Sequence, residues 1–215
     1  DIVFLPTKLE FVEDQNLLQK RFQAFVEYFK NSKISYFSSD GIFNGVSGNY
    51  RESDIPNPVT LYGKNLFLCE SILQKTAENF CIIRPSYIYG YSDGHLDSRL
   101  EGVVQDIYVG NTVERFGNMY KSPLGVKQVA LGAIKLAALD WNGIMHICGE
   151  RLSVYEFTRQ ALEALHLPTE NLKERSIPLG KENEMLPDTS LDNSLMKAVL
   201  AVQPLSIKET LSIIT

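Results

Sequence analysis

Ile34-Ser35-Tyr36-Phe37-Ser38-Ser39-Asp40-Gly41-Ile42-Phe43-Asn44-Gly45 is the stretch on which the fold turns. Its first four residues have the β-branched and aromatic character of a buried strand, and the hydroxyls and glycines after Phe37 stop it. On its N-terminal side, Leu17, Leu18, Phe22, Phe25, Val26 and Phe29 recur at three- and four-residue intervals. That spacing predicts an amphipathic helix from about Asp14 to Lys30, ended by Asn31-Ser32. Before the helix, Ile2-Val3-Phe4-Leu5 is a short apolar run closed by Pro6, the pattern of another buried strand. Strand, helix and strand in this order are the crossover unit of a parallel sheet with both faces covered, and so of an α/β protein.

On its C-terminal side, Asn57-Pro58-Val59 opens a second helix, with Asn57 as expected N-cap, Pro58 at the first helical position and apolar residues running from Leu61 to Leu73. Phe80 to Ile83 is the next strand. Residues 91–123 are rich in Gly, Asp, Ser and Asn, with a helix expected around Leu100 to Tyr108. Gly125 to Leu139 reads as an amphipathic helix, and Gly143 to Gly149 holds a late strand. Ser153 to Leu165 reads as a helix with Ser153 as N-cap and Glu156 three residues on, a capping box. A last helix is expected over Leu195 to Leu200.

Bulk composition narrows the function classes. The 215 residues are 44% hydrophobic and 22% charged, an ordinary globular balance. A formal charge of -5 gives no general attraction to phosphate backbones or anionic lipid, so neither nucleic acid nor membrane is expected as a partner. The longest apolar stretch, Leu124 to Leu139, is broken by Lys127, Gln128 and Lys135. Cys69, Cys81 and Cys148 are odd in number and far apart, which suggests neither a disulfide framework nor a zinc site and fits the cytoplasm. His95, His146 and His166 lack ligand spacing, so no metal is expected. Asp40, Glu52 and Asp54 read as a solvated loop edge.

The spacing of hydroxyl, tyrosine and lysine resembles a family. Ser39 follows the strand, Tyr50-Arg51-Glu52-Ser53-Asp54-Ile55-Pro56 is acidic, and Leu61-Tyr62-Gly63-Lys64 comes a helix-length later. Together these resemble the extended short-chain dehydrogenase/reductases, and among them the dTDP-4-dehydrorhamnose reductases. Arg84-Pro85-Ser86-Tyr87-Ile88-Tyr89-Gly90 resembles the family segment that passes the nicotinamide, and Thr189 to Asn193 its late loop. The resemblance runs from residue 1 to about 214 and extends to the regulatory β subunits of methionine adenosyltransferases.

The resemblance implies a Rossmann-like parallel sheet lacking its first strand-helix units, with a smaller mixed α/β C-terminal lobe. It assigns 1–90 and 124–149 to the nucleotide-binding core, and 91–123 and 150–215 to the substrate-side lobe. It also implies that two units carrying a Gly-x-x-Gly-x-x-Gly turn precede residue 1; no such pattern occurs in these residues, and Gly41, Gly45 and Gly48 have the wrong spacing. By the same resemblance Ser39, Tyr62 and Asn16 are the catalytic positions, and Ser38, Tyr62, Pro85 and Ser86 contact NADP or NAD. The implied substrate is a nucleotide-sugar, and the implied activity its reduction. The implied alternative is a non-catalytic subunit that binds a partner protein or a second copy of itself.

The sequence departs from the family where the chemistry is most demanding. Leu66 stands where the family's Tyr-x-x-x-Lys pair has its lysine. Lys64 is a poor substitute, because a residue two positions on points about 200° around the helix from Tyr62. At about 4 Å from the phenolate and an effective dielectric near 20, the missing ammonium would supply about 4 kcal/mol. Gly41 and Gln128 also stand where the family usually has Tyr and Asp.

Overall fold

The computed structural model describes residues 2–5 and 12–212. Its centre is a parallel four-stranded sheet of β1 (Ile2–Leu5), β2 (Lys33–Phe37), β3 (Phe80–Arg84) and β10 (Gly143–His146), in the order β1-β2-β3-β10. β1 pairs with β2 through Ile2 opposite Lys33, β2 with β3 through Ile34 opposite Phe80, and β3 with β10 through Cys81 opposite Gly143. All four strands run the same way, so each must be joined by a crossover. Helix α1 (Gln15–Tyr28) makes the first and α2 (Leu61–Thr76) the second.

Between β3 and β10 the chain forms β4 (Ile88–Tyr89), β5 (Tyr91–Ser92), β6 (His95–Leu96), α3 (Ser98–Tyr108), β7 (Val113–Phe116), β8 (Tyr120–Lys121), β9 (Leu124–Gly125) and α4 (Val126–Ala138). After β10 come β11 (Leu152–Ser153), α5 (Val154–Ala164), β12 (Leu172–Arg175), α6 (Glu182–Met185), α7 (Ser194–Leu200) and α8 (Ile207–Ser212). The short strands tie these two segments together: β7 pairs with β12 and β8 with β11.

Two apolar layers sandwich the sheet. Phe22 and Val26 of α1, and Leu66, Cys69 and Leu73 of α2, bury against Ile34, Tyr36 and Ile82 on one face. Val129, Ala133 and Leu136 of α4 bury against Cys81, Ile83 and Met145 on the other. Alternate residues of one strand therefore serve opposite layers, as the two-residue side-chain period requires. Lys33 is also buried and donates to the carbonyls of Leu136 and Leu139, closing the C-terminal end of α4, where a cation is favoured.

Two buried ionic groups sit beneath these layers. Arg84 at the end of β3 is 1% exposed and donates to both carboxylate oxygens of Glu70 on α2, at 3.0 and 2.6 Å. Its Nη1 lies 3.5 Å from His146 Nε2. Arginine can only donate, so Nε2 accepts and the ring proton sits on Nδ1, 4.0 Å from Glu52. Burial, then the Arg84 charge, push the His146 pKa down to about 3, so the ring is neutral.

Three local expectations need correction. Helix α2 begins at Leu61, not at Pro58: Thr60 is the N-cap, its Oγ1 accepting from Gly63 N at 3.1 Å, while Asn57 lies upstream and donates its backbone N–H to Ile42 O. The N-cap half of the capping box is present, Ser153 Oγ accepting from Glu156 N at 3.1 Å, but the Glu156 carboxylate turns outward to Arg159 and Gln160. Asp40 and Glu52 are not a solvated edge: Asp40 is buried, and Glu52 accepts from His146 N at 2.9 Å. Only Asp54 stays exposed, where it accepts from Arg51 N.

Candidate functional site

The backbone brings two distant pieces of sequence against each other. After β2, Ser38 N donates to Ile83 O and Asp40 N to Pro85 O, so the ends of β2 and β3 stay side by side past the sheet. Ser39, with extended backbone, caps a 3-10 turn over Asp40–Ile42, its Oγ accepting from Gly41 N at 3.2 Å. The first turn of α2 packs on this turn. A Cβ on Gly63 would stand 2.0 Å from Gly41 O, and one on Gly41 would stand 3.3 Å from the Tyr62 ring. Position 63 therefore needs glycine for the approach that sets Tyr62 over the Ser39 turn, while a side chain at position 41 would make a tight contact with the Tyr62 ring.

A cleft of about 500 Å³ opens at this junction, at the C-terminal ends of the parallel strands. It is lined by Ser38, Ser39, Asp40, Tyr62, Pro85, Ser86 and Tyr87, together with Arg99 of α3 and Lys121 of β8. Of the residues expected at the site, Ser38, Ser39, Tyr62, Pro85 and Ser86 thus come together. Asn16 does not: it is exposed in the first turn of α1 and absent from the cleft lining, while its neighbour Gln15 donates to Asn65 Oδ1. Gly45 and Gly48 take positive φ and abut Leu186 and Asp188, so they serve the packing of the late loop.

The cleft floor is a polar network around Asp40. Its Oδ2 accepts from Lys121 Nζ at 2.9 Å, Thr189 Oγ1 at 2.6 Å and Ser86 Oγ at 3.0 Å, and its Oδ1 from Ser39 Oγ at 2.9 Å. Burial pushes the Asp40 carboxyl up, but the Lys121 charge and the hydrogen bonds from Lys121, Thr189 and Ser39 outweigh it and hold the group below the ordinary carboxylate value. Ser38 Oγ is buried and has no hydrogen-bond partner among the described residues. A second cavity of about 240 Å³ shares Tyr87, Arg99 and Lys121 with the first and continues past Arg115 to an apolar wall including Leu100, Val103 and Phe157. The Arg99 guanidinium carbon lies over the Tyr87 ring, 3.8 Å from its centroid, and both residues line both cavities.

Sequence reading missed Lys121, Arg99 and Thr189. They lie 81, 59 and 149 residues from Asp40 in the chain; Lys121 and Arg99 carry no motif, and the late-loop resemblance at Thr189 assigns it no role, so only the pairing of β8 with β11 and the course of the late loop bring Lys121 and Thr189 onto the floor. Position 66 is settled by geometry. Leu66 is buried in the apolar layer between α2 and the sheet, and Lys64 is exposed. No cation of α2 lines the cleft. Among the described residues no group of three or more His, Cys, Asp or Glu is placed to hold a metal, and no helix is long and apolar enough to cross a membrane.

Comparison with known proteins gives three findings. The model of the RmlD substrate binding domain family matches residues 26–212. Methionine adenosyltransferase 2 subunit beta of Xenopus tropicalis is 29% identical over 147 residues, 65% of this chain and 44% of that protein, so the chain spans less than half the length of the curated relatives it matches. Among solved structures, a hypothetical dTDP-4-dehydrorhamnose reductase from Sulfolobus tokodaii superposes with a TM-score of 0.79 at 28% identity, covering 96% of this chain and 77% of that one. A dTDP-4-dehydrorhamnose reductase from Bacillus anthracis in complex with NADP gives 0.81 at 18% identity, over 98% and 78% of the two chains, and shows the shared fold.

Proposed function

The chain belongs to the RmlD substrate-binding domain family, and from that membership we propose that it is a sugar-nucleotide reductase of the dTDP-4-dehydrorhamnose reductase type, using NADP or NAD and slowed by the leucine at position 66. One observation carries the reading: Ser39 and Tyr62 line one cleft at the C-terminal ends of parallel strands, where open α/β sheets bind their ligands.

The Tyr62 phenol gives its proton to the sugar carbonyl oxygen, and the Ser39 hydroxyl steadies that oxygen. A bound nicotinamide supplies the hydride. The residues fit that end of a dinucleotide: Ser38 has a buried hydroxyl without a partner, and Pro85 and Ser86 form the wall beside it. Arg99 and Arg115 give the two adjoining cavities positive charge of the kind a diphosphate requires, while the Lys121 charge is paired with Asp40. The solved Bacillus anthracis neighbour contains NADP, which supports the same class of cofactor here.

A second reading is favoured by Leu66. Its side chain is packed in the core, so the ammonium that orients cofactor and phenol is absent, and the curated relatives include several subunits named for another enzyme beside a spore coat polysaccharide biosynthesis protein of Bacillus subtilis. On that reading the cleft binds ligand without turning it over, and the chain acts through a partner protein. Steady-state oxidation of NADPH and NADH with a dTDP-4-keto sugar separates the two. The reductase reading expects turnover that Tyr62→Phe lowers by about 100-fold or more while binding persists. Saturable nicotinamide binding without turnover selects the second reading, and no binding up to millimolar nicotinamide sinks the first.

A further inference from the structure

The ion pair on the cleft floor leaves one donor unused. Asp40 keeps Lys121 charged, and an ammonium carries three hydrogens. Nζ has two acceptors among the described residues, Asp40 Oδ2 at 2.9 Å and Thr189 Oγ1 at 2.6 Å. One hydrogen is therefore left over, whatever the rotation of the group. Asp40 and Thr189 are both buried in the floor, while the Lys121 side chain is 27% exposed and lines the cleft. The unused donor belongs to the open side.

Its place makes that donor selective. Tyr87, Arg99 and Lys121 line both cavities, so a ligand that fills the two together passes these three side chains. Arg99 is engaged already, with its guanidinium over the Tyr87 ring and its Nη2 donating to Ile88 O at 2.9 Å. Across the Asp40 carboxylate, Lys121 Nζ stands two hydrogen bonds from Ser39 Oγ, beside the part of a ligand that Ser39 and Tyr62 address. Pairing with Asp40 offsets the lysine charge at a distance, but the spare hydrogen still bonds an acceptor at contact range.

We propose that Lys121 is a specificity-determining residue of the cleft: its spare hydrogen bonds an oxygen of the sugar, so that the site tells a nucleotide-sugar from the bare nucleoside diphosphate. The inference rests on the reading of the cleft as a nucleotide-sugar site and adds the group that recognises the sugar. An ammonium only donates, so a hydroxyl or a carbonyl oxygen of the sugar satisfies it equally. The role leaves proton donation to Tyr62 and carbonyl binding to Ser39.

The test is calorimetric titration of the unaltered chain, Lys121→Met and Lys121→Arg with dTDP and with a dTDP 6-deoxyhexose, at one pH. In the unaltered chain the sugar is expected to tighten binding by about tenfold or more, the worth of a hydrogen bond from a charged donor. Lys121→Met removes that gain while the dissociation constant of dTDP stays within about twofold, and Lys121→Arg recovers part of it. A lysine that served only to hold the floor together would move both ligands alike. Thermal melts establish that each variant is folded; if Lys121→Met is not, the same change combined with Asp40→Asn, which leaves no charge unpaired, takes its place. A sugar that adds nothing in the unaltered chain overturns the proposal and leaves the nucleotide-sugar reading standing. Equal loss of both ligands on Lys121→Met, or no loss of either, does the same. No binding of either ligand by the unaltered chain up to millimolar concentration overturns the nucleotide-sugar reading and the proposal with it.

Discussion

Leu66 stands where the resembled Tyr-x-x-x-Lys pair has its lysine, and its surroundings explain why putting a lysine there is not a small change. The side chain is 1% exposed and packs with Leu73, Ile34 and Tyr36 in the layer under α2. A lysine there places an ammonium among apolar atoms, with no carboxylate of the cleft floor free of other donors to receive it. We expect Leu66→Lys to lower stability by about 3 kcal/mol or more. For a chain of this size that lowers Tm by roughly 6 to 12 °C, read by calorimetry. An unchanged Tm with a gain in ketosugar reduction would mean that the lysine reaches the cleft and that its absence was the limiting defect.

At the scale of elements, α2 and β3 are locked by the Glu70–Arg84 pair, fully withdrawn from water. Removing one partner leaves the other charge buried and uncompensated, whereas replacing both removes the problem. Glu70→Ala is expected to cost about 3 to 5 kcal/mol, seen as a lower urea midpoint, while Glu70→Leu combined with Arg84→Met recovers most of it. A double variant no better than the single would show that Arg84 is held for its contacts with His146 and Phe43, not for its charge. Elements also show where local sequence signals end. The span of α1 agrees with its apolar spacing because one face is buried and the rest is wet. The start of α2 was misplaced because Asn57-Pro58 has the chemistry of a helix start, yet the loop that carries it is tied back to Ile42 and the helix waits for Thr60.

For the whole molecule, the neutral buried His146 sets a pH dependence with a definite sign. Its pKa is about 3 in the folded chain, against an ordinary value of 6.5. Between these values the unfolded chain holds a proton that the folded one refuses, so stability falls as pH drops through 6.5 toward 3 and is flat above. The loss at pH 5 relative to pH 8 is about 2 kcal/mol. Arg84 from β3, Glu70 from α2 and Glu52 and Asp192 from the loops all bear on this ring, and Asp40 adds to the same slope only below its ordinary value of 3.8. Urea midpoints at the two pH values check it: His146→Gln should flatten the difference, and an unchanged difference would assign the slope to carboxylates elsewhere.

The sequence by itself determined the strand-helix-strand order, the parallel sheet it requires and the positions of Ser38, Ser39, Tyr62, Pro85 and Ser86 along it, because apolar period and strand-end chemistry are local. Tertiary structure alone decided which of those residues share a cleft, that Asn16 stays outside it, and that Asp40 is buried beneath Lys121 and Thr189. The reason is physical: burial and ion pairing depend on what the far chain brings, here a lysine 81 residues away and a threonine 149 residues away, and no spacing within a helix or strand encodes either.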